Sequence, residues 1–254
     1  QLFSYTLIMA YDNDFFKYVN SGAIDSANEI YPHVFNDIPI KSVLDVGCGQ
    51  GAWLSVWKNF GVSDITGIDG SYVDRDNLLI DEKDFITHDL SNEFNLNRRF
   101  DIVQSLEVAE HLPEKSARGF VDSLVRHGDL IIFSAAPKGQ GGDHHVNEQN
   151  YDYWRILFAS HGYKPIDYLR PLIAGNKKIE PWYRYNIFIY SSSENLERLP
   201  VKFQERIIAE SEKLHDVSPL VYKMRKRLVS LMPVYMMTII AKIKEKIVVL
   251  QRHD

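Results

Sequence analysis

Residues 41–70 read KSVLDVGCGQGAWLSVWKNFGVSDITGIDG, and this stretch decides the fold. Val43, Leu44 and Val46 form a short apolar run of the kind that fills a strand buried on both faces. Gly47, Gly49 and Gly51 follow, removing three side chains where the chain must turn sharply and a ligand can approach the backbone. Trp53, Leu54, Val56, Trp57 and Phe60 come next, mostly at helical spacing, with Gly61 as a stop. Residues 64–69, DITGID, are a second strand that closes on an acid. In a parallel βαβ unit Asp69 then lies beside the glycine turn at the carboxyl edge of the sheet. A carboxylate there can accept hydrogen bonds from two ribose hydroxyls.

Two nucleotide sites share these features. G-x-G-x-x-G/A, with Ala52 in last place, is also the dinucleotide fingerprint, and Asp69 lies at roughly the right distance for it. The longer run Asp45–Gly51, DVGCGQG, resembles the first motif of class I S-adenosylmethionine-dependent methyltransferases. That resemblance implies that Asp45, Gly47, Cys48, Gly49 and Gly51 lie against the methionine part of the cofactor. It also implies that Asp69 and Gly70 hold the ribose. The glycines then serve close approach, because no pyrophosphate needs a helix N-terminus.

Further motifs follow in the order this family would have them. Residues 84–90, DFITHDL, resemble its third-strand segment, which implies that Asp89 meets the adenine amino group and the Leu90 backbone supports the ring. An acceptor suits an exocyclic N–H₂ donor. The other reading of Asp89 is a turn residue capping Ser91 onward. Residues 100–107 form a fourth strand, and residues 105–113, SLEVAEHLP, resemble the S-x-E-V-x-E-H-L-P stretch of many small-molecule methyltransferases. Leu106 and Glu107 are thereby expected in the cofactor pocket, with Glu110 and His111 facing the acceptor. His111 reads either as a base or as a structural residue.

After a helix over 116–125 and a buried strand over 128–134, the chain enters KGQGGDHHVNEQ, residues 138–149. This polar loop also leaves the carboxyl edge of the sheet, and its glycines read as mobility. With the aromatic helix of residues 151–161, it resembles a subgroup that includes several sugar O-methyltransferases. Methyl transfer to oxygen is an in-line displacement at a sulfonium carbon, so the protein must mainly position the acceptor and remove its proton. His144 or His145 suits the base, because a histidine titrates near neutrality. Asp143 or Glu148 would orient the ring or bind substrate hydroxyls, and Asn147 and Gln149 would add sugar contacts. Trp182, Tyr183 and Tyr185 can stack on a sugar or simply pack. A divalent metal on Asp143 and a histidine is a less favoured reading, since successive side chains in an extended segment point apart. A merely solvated polar loop is the plainest reading.

The remaining chain frames this core. Residues 1–39 read as an N-terminal helical or lid segment, and the resemblance makes Tyr11 a candidate for closing over the cofactor. Residues 40–192 form the core, whose family fold is α/β and Rossmann-like. It has seven strands, mostly parallel, an antiparallel last strand over 185–190, and helices on both faces. A sixth strand is read at 164–170. Residues 193–254 form a C-terminal helical extension, with helices over 200–214 and 218–252. The apolar run 228–241 is shorter than the roughly 20 residues a membrane span needs, and Pro233 interrupts it. Basic residues on both sides suit a peripheral membrane or partner contact, the alternative being packing on its own domain or on a twin subunit.

The net charge of −5 gives no case for nucleic acid as a partner. A single cysteine, Cys48, excludes an intrachain disulfide and suits a reducing, cytoplasmic setting; inside the turn it reads as a small buried residue. The start at Gln1 suits one domain of a longer glycan-modifying chain. The expected activity is O-methylation of a sugar or glycan hydroxyl with a histidine base, yielding S-adenosylhomocysteine. The rivals are methylation of a phenolic or quinone-type acceptor, a nicotinamide-dependent oxidoreductase, and a non-catalytic domain that docks through its basic C-terminal helices.

Overall fold

A computed structural model describes residues 13–232, with side chains from residue 20 onward. Tyr11 and the segment beyond residue 232 lie outside the described residues. Seven strands form one sheet in the order β3-β2-β1-β4-β5-β7-β6. They are β1 (Ser42–Val46), β2 (Asp64–Asp69), β3 (Phe85–Thr87), β4 (Ile102–Leu106), β5 (Leu130–Ser134), β6 (Tyr163–Ile166) and β7 (Phe188–Ser192). β7 runs antiparallel to both its neighbours, and the pairs from β3 through β5 are parallel. The order reverses between β1 and β4, which opens a crevice at their carboxyl ends, the place where such sheets bind ligands.

Alternation along the strands splits the apolar side chains between two cores. Val43, Ile102 and Ile132 join one, while Leu44, Val103 and Ile131 join the other. The first core is covered by α1 (Asn13–Ile30) and α2 (Ala52–Asn59), through Ala27, Ile30, Trp53 and Trp57. The second is covered by α3 (Ala117–His127) and α4 (Tyr151–Ala159), through Phe120, Leu124, Trp154 and Phe158. One buried polar residue ties the first layer to the sheet. The Gln104 carbonyl oxygen accepts from the Tyr31 hydroxyl at 2.8 Å and the Trp57 indole at 2.9 Å, and those two rings stack at 3.8 Å.

Four expectations shift. α1 runs unbroken to Ile30 before a single turn at Pro32–Phe35, whereas the sequence alone suggests a helix that begins only at Ser26 and is cut short by Pro32. β6 stops at Ile166 because Asp167 turns back to grip Arg170, its oxygens 2.8 and 2.6 Å from Nε and Nη2. Arg170 lies in α5 (Leu169–Ile173), buried, and also donates to the carbonyls of Tyr185 and His215. β7 begins at Phe188 because Tyr185 and Asn186 belong to α6 (Pro181–Asn186), where Pro181 sets the first turn.

Residues 200–214 contain one short helical turn, Val201–Gln204, instead of a long helix. The chain there pairs with the sheet edge, Ile208 N–H to the Pro165 carbonyl and Ile207 bridging Ile166. Arg155 fixes it by donating to the carbonyls of Ala209 and Glu212.

α7 (Leu220–Val229) lies across the polar loop after β5. Arg225 donates to the Gln140 carbonyl at 3.0 Å, and a Cβ on Gly139 would stand 2.1 Å from the Lys226 carbonyl. Its opposite face exposes Leu220, Met224 and Leu228. Among the described residues, no helix is long and apolar enough to cross a membrane.

Candidate active site

The cofactor side is built from the ends of β1 and β2. Gly47, Gly49 and Gly51 all have positive φ (84°, 54° and 85°), which side-chain-bearing residues adopt only at a cost. Space is also short: a Cβ on Gly47 would stand 2.3 Å from a Val108 methyl. Val108 directly follows Glu107, so this contact locks the β1 turn to the β4 turn. Asp69 closes the arrangement. Its Oδ2 accepts from the Gly49 N–H and its Oδ1 from the Gly70 N–H, both at 2.6 Å. The Tyr72 hydroxyl also bonds Oδ1. Burial raises the Asp69 pKa, and these three donors oppose the shift. Cys48 is buried against Gly67 of β2, and burial, then Asp69 and Asp45, push its thiol pKa well up.

Asp45 sits inside this unit, opposite Gln104 in the β1–β4 register. Its pKa is raised to about 7 by burial, an effect the Gln104 amide opposes and Asp69 reinforces. The fold therefore prefers the protonated form. Its contribution to stability is complete below the unfolded value of 3.8 and is lost as pH rises through about 7. The difference amounts to about 4 kcal/mol at 1.36 kcal/mol per unit. Asp45→Asn is expected to gain stability relative to wild type between pH 5 and pH 8, read from urea midpoints; parallel profiles would contradict this.

Asp89 is exposed at the end of the β3 segment. Its oxygens accept from the Ser91 N–H and the Asn92 amide, each at 3.0 Å, a local turn geometry. Leu90 beside it is buried.

The candidate acceptor side is built from the end of β4 and the loop after β5. Glu107 has φ 57°, a left-handed conformation that costs a non-glycine residue roughly 1–2 kcal/mol. Its neighbours hold it there. The Ser134 carbonyl accepts its N–H at 3.0 Å, and Gln140 donates to its Oε2 at 2.6 Å. Asn186 bonds the Gln140 side chain at 2.7 Å and accepts from the Tyr151 hydroxyl at 2.8 Å. Leu106 is buried just before it.

Three residues on, Glu110 is wholly buried, and neither carboxylate oxygen has a hydrogen-bond partner of good geometry. Burial, then the Glu107 charge, raises its pKa well above the ordinary value; the backbone amides of Glu110 and Ala136 oppose the shift. The His111 pKa is lowered to about 3, by burial first and His145 second. Its ring meets that of His145 edge-on at 4.8 Å, and its Nδ1 has no partner.

The loop is tied down rather than loose. Its Val146 and Asn147 N–H groups both donate to the Glu110 carbonyl at 2.9 Å. The N–H groups of Gly139 and Gly141 wrap the Glu148 carboxylate at 2.7 Å each, which requires their positive φ. Those glycines shape a turn around an anion, a correction to the expectation of mobility. Glu148 Oε1 also lies 2.9 Å from His145 Nδ1. Glu148 is thus committed to the loop and the ring. His144 has φ 54°, and its Nδ1 lies 2.9 Å from Asp143 Oδ1.

Of the predicted residues, Glu110, His111, His145 and Glu148 come together, with Asn147 buried beside them and its side chain accepting from Gln149. Asp143 and His144 form a separate pair. Trp182 packs on the first core beside Tyr183. Gln104, Tyr72, Gln140 and Asn186 were not anticipated, because only strand order and loop closure bring them to their partners.

A parallel sheet that reverses order beyond β1, a glycine turn after β1, an acid ending β2 and a reversed β7 define the class I fold of S-adenosylmethionine-dependent methyltransferases. The profile of a family described as a methyltransferase domain matches residues 20–158, more than half of the chain, and the chain belongs to that family. It is a methyltransferase with S-adenosylmethionine as its cofactor.

Among solved structures, the methyltransferase domain of bacterial CtHen1-C is similar, with TM-score 0.50, 19% identity, 66% of this chain and 97% of that one covered. DesVI of Streptomyces venezuelae is similar at TM-score 0.51 and 15% identity, with 68% and 93% covered. The magnesium protoporphyrin IX methyltransferase of Synechocystis PCC 6803 gives 0.49 and 18%, with 68% and 80% covered. At these identities the likeness is one of fold. No curated protein matches the sequence.

The residues present fit this cofactor. Asp69 Oδ1 already accepts a hydroxyl, that of Tyr72, and stands beside the glycine turn where a ribose hydroxyl would bond. Asp45 Oδ2 is a buried acceptor without a partner, available to the amino-acid end. When bound, S-adenosylmethionine supplies a methyl group activated on a sulfonium. The chain's own residues must then place the acceptor against it.

Proposed function

We propose that the chain methylates a hydroxyl of a sugar or glycan and that the acceptor loses its proton at the free edge of His145. The observation that carries this reading is the His145–Glu148 pair set against Glu110 and His111. With Nδ1–H donated to Glu148, the lone pair of His145 lies on Nε2, and the carboxylate stabilises the ring when it becomes charged. Glu148 is itself fixed by two loop amides, so the ring is held before substrate arrives. His111, its pKa lowered to about 3, is a poor proton acceptor.

The sugar assignment is supported by the side chains around this edge. Asp143, Asn147 and Gln149 of the same loop are polar, and the Asn147 Nδ2 has no partner, which suits the donors and acceptors of a polyhydroxylated acceptor. A phenol or quinone pocket would be lined mainly by apolar groups. The test is mass spectrometry of a panel of sugars, glycosides, phenols and quinols incubated with S-adenosylmethionine. A one-methyl gain on sugar hydroxyls is expected. A gain confined to phenols or quinols would overturn the assignment.

A further inference from the structure

Glu110 poses a problem that proton removal at His145 leaves unsolved. It is a carboxyl group with 0% exposure and no well-formed hydrogen bond to either oxygen. Leaving such a group unsatisfied is costly, and folds normally pair it. Two imidazoles face it instead. Among the described residues, Glu110, His111 and His145 bring one ligand-type atom each to within 4.8 Å of one another. His111 Nδ1 is likewise without a partner.

The second nitrogen of His145 adds an independent indication. Nδ1 is engaged by Glu148, leaving Nε2 for the cluster, and carboxylate–imidazole pairs of this kind orient the histidines that hold metals. A Cβ on Gly142 would stand 2.1 Å from that Nε2, so glycine there leaves the ring room in its present place. Asp143 lies 2.9 Å from His144 Nδ1 and does not join the group, which separates this cluster from the Asp143–histidine metal site considered on sequence grounds.

We propose that Glu110, His111 and His145 bind a divalent transition-metal cation. Two imidazoles and one carboxylate favour ions of the Mn²⁺–Zn²⁺ range over Ca²⁺ or Mg²⁺, and three ligands leave positions open. The proposal rests on the acceptor site and the sugar acceptor described above, and in it the cation replaces His145 as the group that activates the hydroxyl. The acceptor hydroxyl binds an open position, its pKa falls, its proton passes to water, and the oxygen becomes the nucleophile. His145 then holds the cation rather than the proton.

The test uses the full chain, stripped with EDTA and dialysed, and Co²⁺ alone as probe. Visible absorption is expected to report one Co²⁺ per chain. His111→Ala and His145→Ala are each expected to weaken binding at least about tenfold, and Glu148→Gln by about tenfold through the lost orientation. S-Adenosylhomocysteine affinity in all three variants checks that they are folded. His88→Ala, on the β3 edge, controls for adventitious surface binding and should leave Co²⁺ affinity unchanged. Absence of stoichiometric Co²⁺ binding, or binding unaltered in both histidine variants, would overturn the proposal. Sugar methylation that continues unchanged in EDTA would overturn it as well, while leaving the proposed function standing. Stoichiometric Co²⁺ binding weakened by the variants, without sugar methylation, would uphold the metal site and refute the sugar assignment.

Discussion

Asp69→Ala is expected to weaken S-adenosylhomocysteine binding by about 100-fold or more. Two hydrogen bonds from ribose hydroxyls to a carboxylate, at roughly 1.5–3 kcal/mol each, account for a loss of that size. The same change leaves the N–H groups of Gly49 and Gly70 and the hydroxyl of Tyr72 without their acceptor. The glycine turn would therefore lose the contact that sets its shape, and stability should fall together with affinity. Asp69→Asn keeps one acceptor oxygen and the side-chain volume, so its effect should be intermediate. Calorimetric titration of both variants checks this, with a denaturant curve for each. An unchanged affinity in Asp69→Ala would place the ribose elsewhere.

His145→Ala should produce the second large effect, on turnover and not on cofactor affinity. Removing a positioned group that takes or mediates the acceptor's proton costs about 10²–10⁴-fold in rate. The candidate cofactor residues lie at the ends of β1 and β2, with Val108 against Gly47, and His145 belongs to a different loop. Affinity for S-adenosylhomocysteine should thus change less than about twofold, well inside the 1.4 kcal/mol that a tenfold change represents. His144→Ala should cost far less, because His144 pairs with Asp143 and not with the Glu110 group. Single-turnover rates at saturating cofactor separate these outcomes. Equal losses in the two variants would contradict the assignment of His145.

The fold around the glycine turn was legible because its requirements are local. A buried apolar run, glycines at a sharp turn and an acid ending the next strand occupy thirty consecutive residues, and β1, α2 and β2 form within them. The acceptor side depends on closure over distance. Glu107 is held by Gln140 and Asn186, and nothing in either local sequence announces that pairing. Asn186 was read within a strand, because Tyr185 to Tyr190 carries β-type residues; Pro181 and the clamp of Arg170 on the Tyr185 carbonyl place it in a helix instead.

The glycines of residues 139–142 illustrate the same limit. Composition suggested mobility, yet their conformations serve the Glu148 carboxylate, the His145 ring and the crossing of α7. The stretch 200–214 was misjudged as helical because its hydrophobic spacing tolerates a helix, whereas the edge of β6 and the Arg155 guanidinium claim its backbone groups. The contact of α7 with the Gln140 carbonyl likewise places the described part of the C-terminal extension on its own domain, over the acceptor loop.

The most direct test of the account is calorimetric titration of the wild-type chain with S-adenosylmethionine, S-adenosylhomocysteine and NAD⁺ in turn. One site is expected to bind the first two and not the third, with affinity lost in Asp69→Ala. No heat from either sulfur ligand, or binding of NAD⁺ alone, would contradict it.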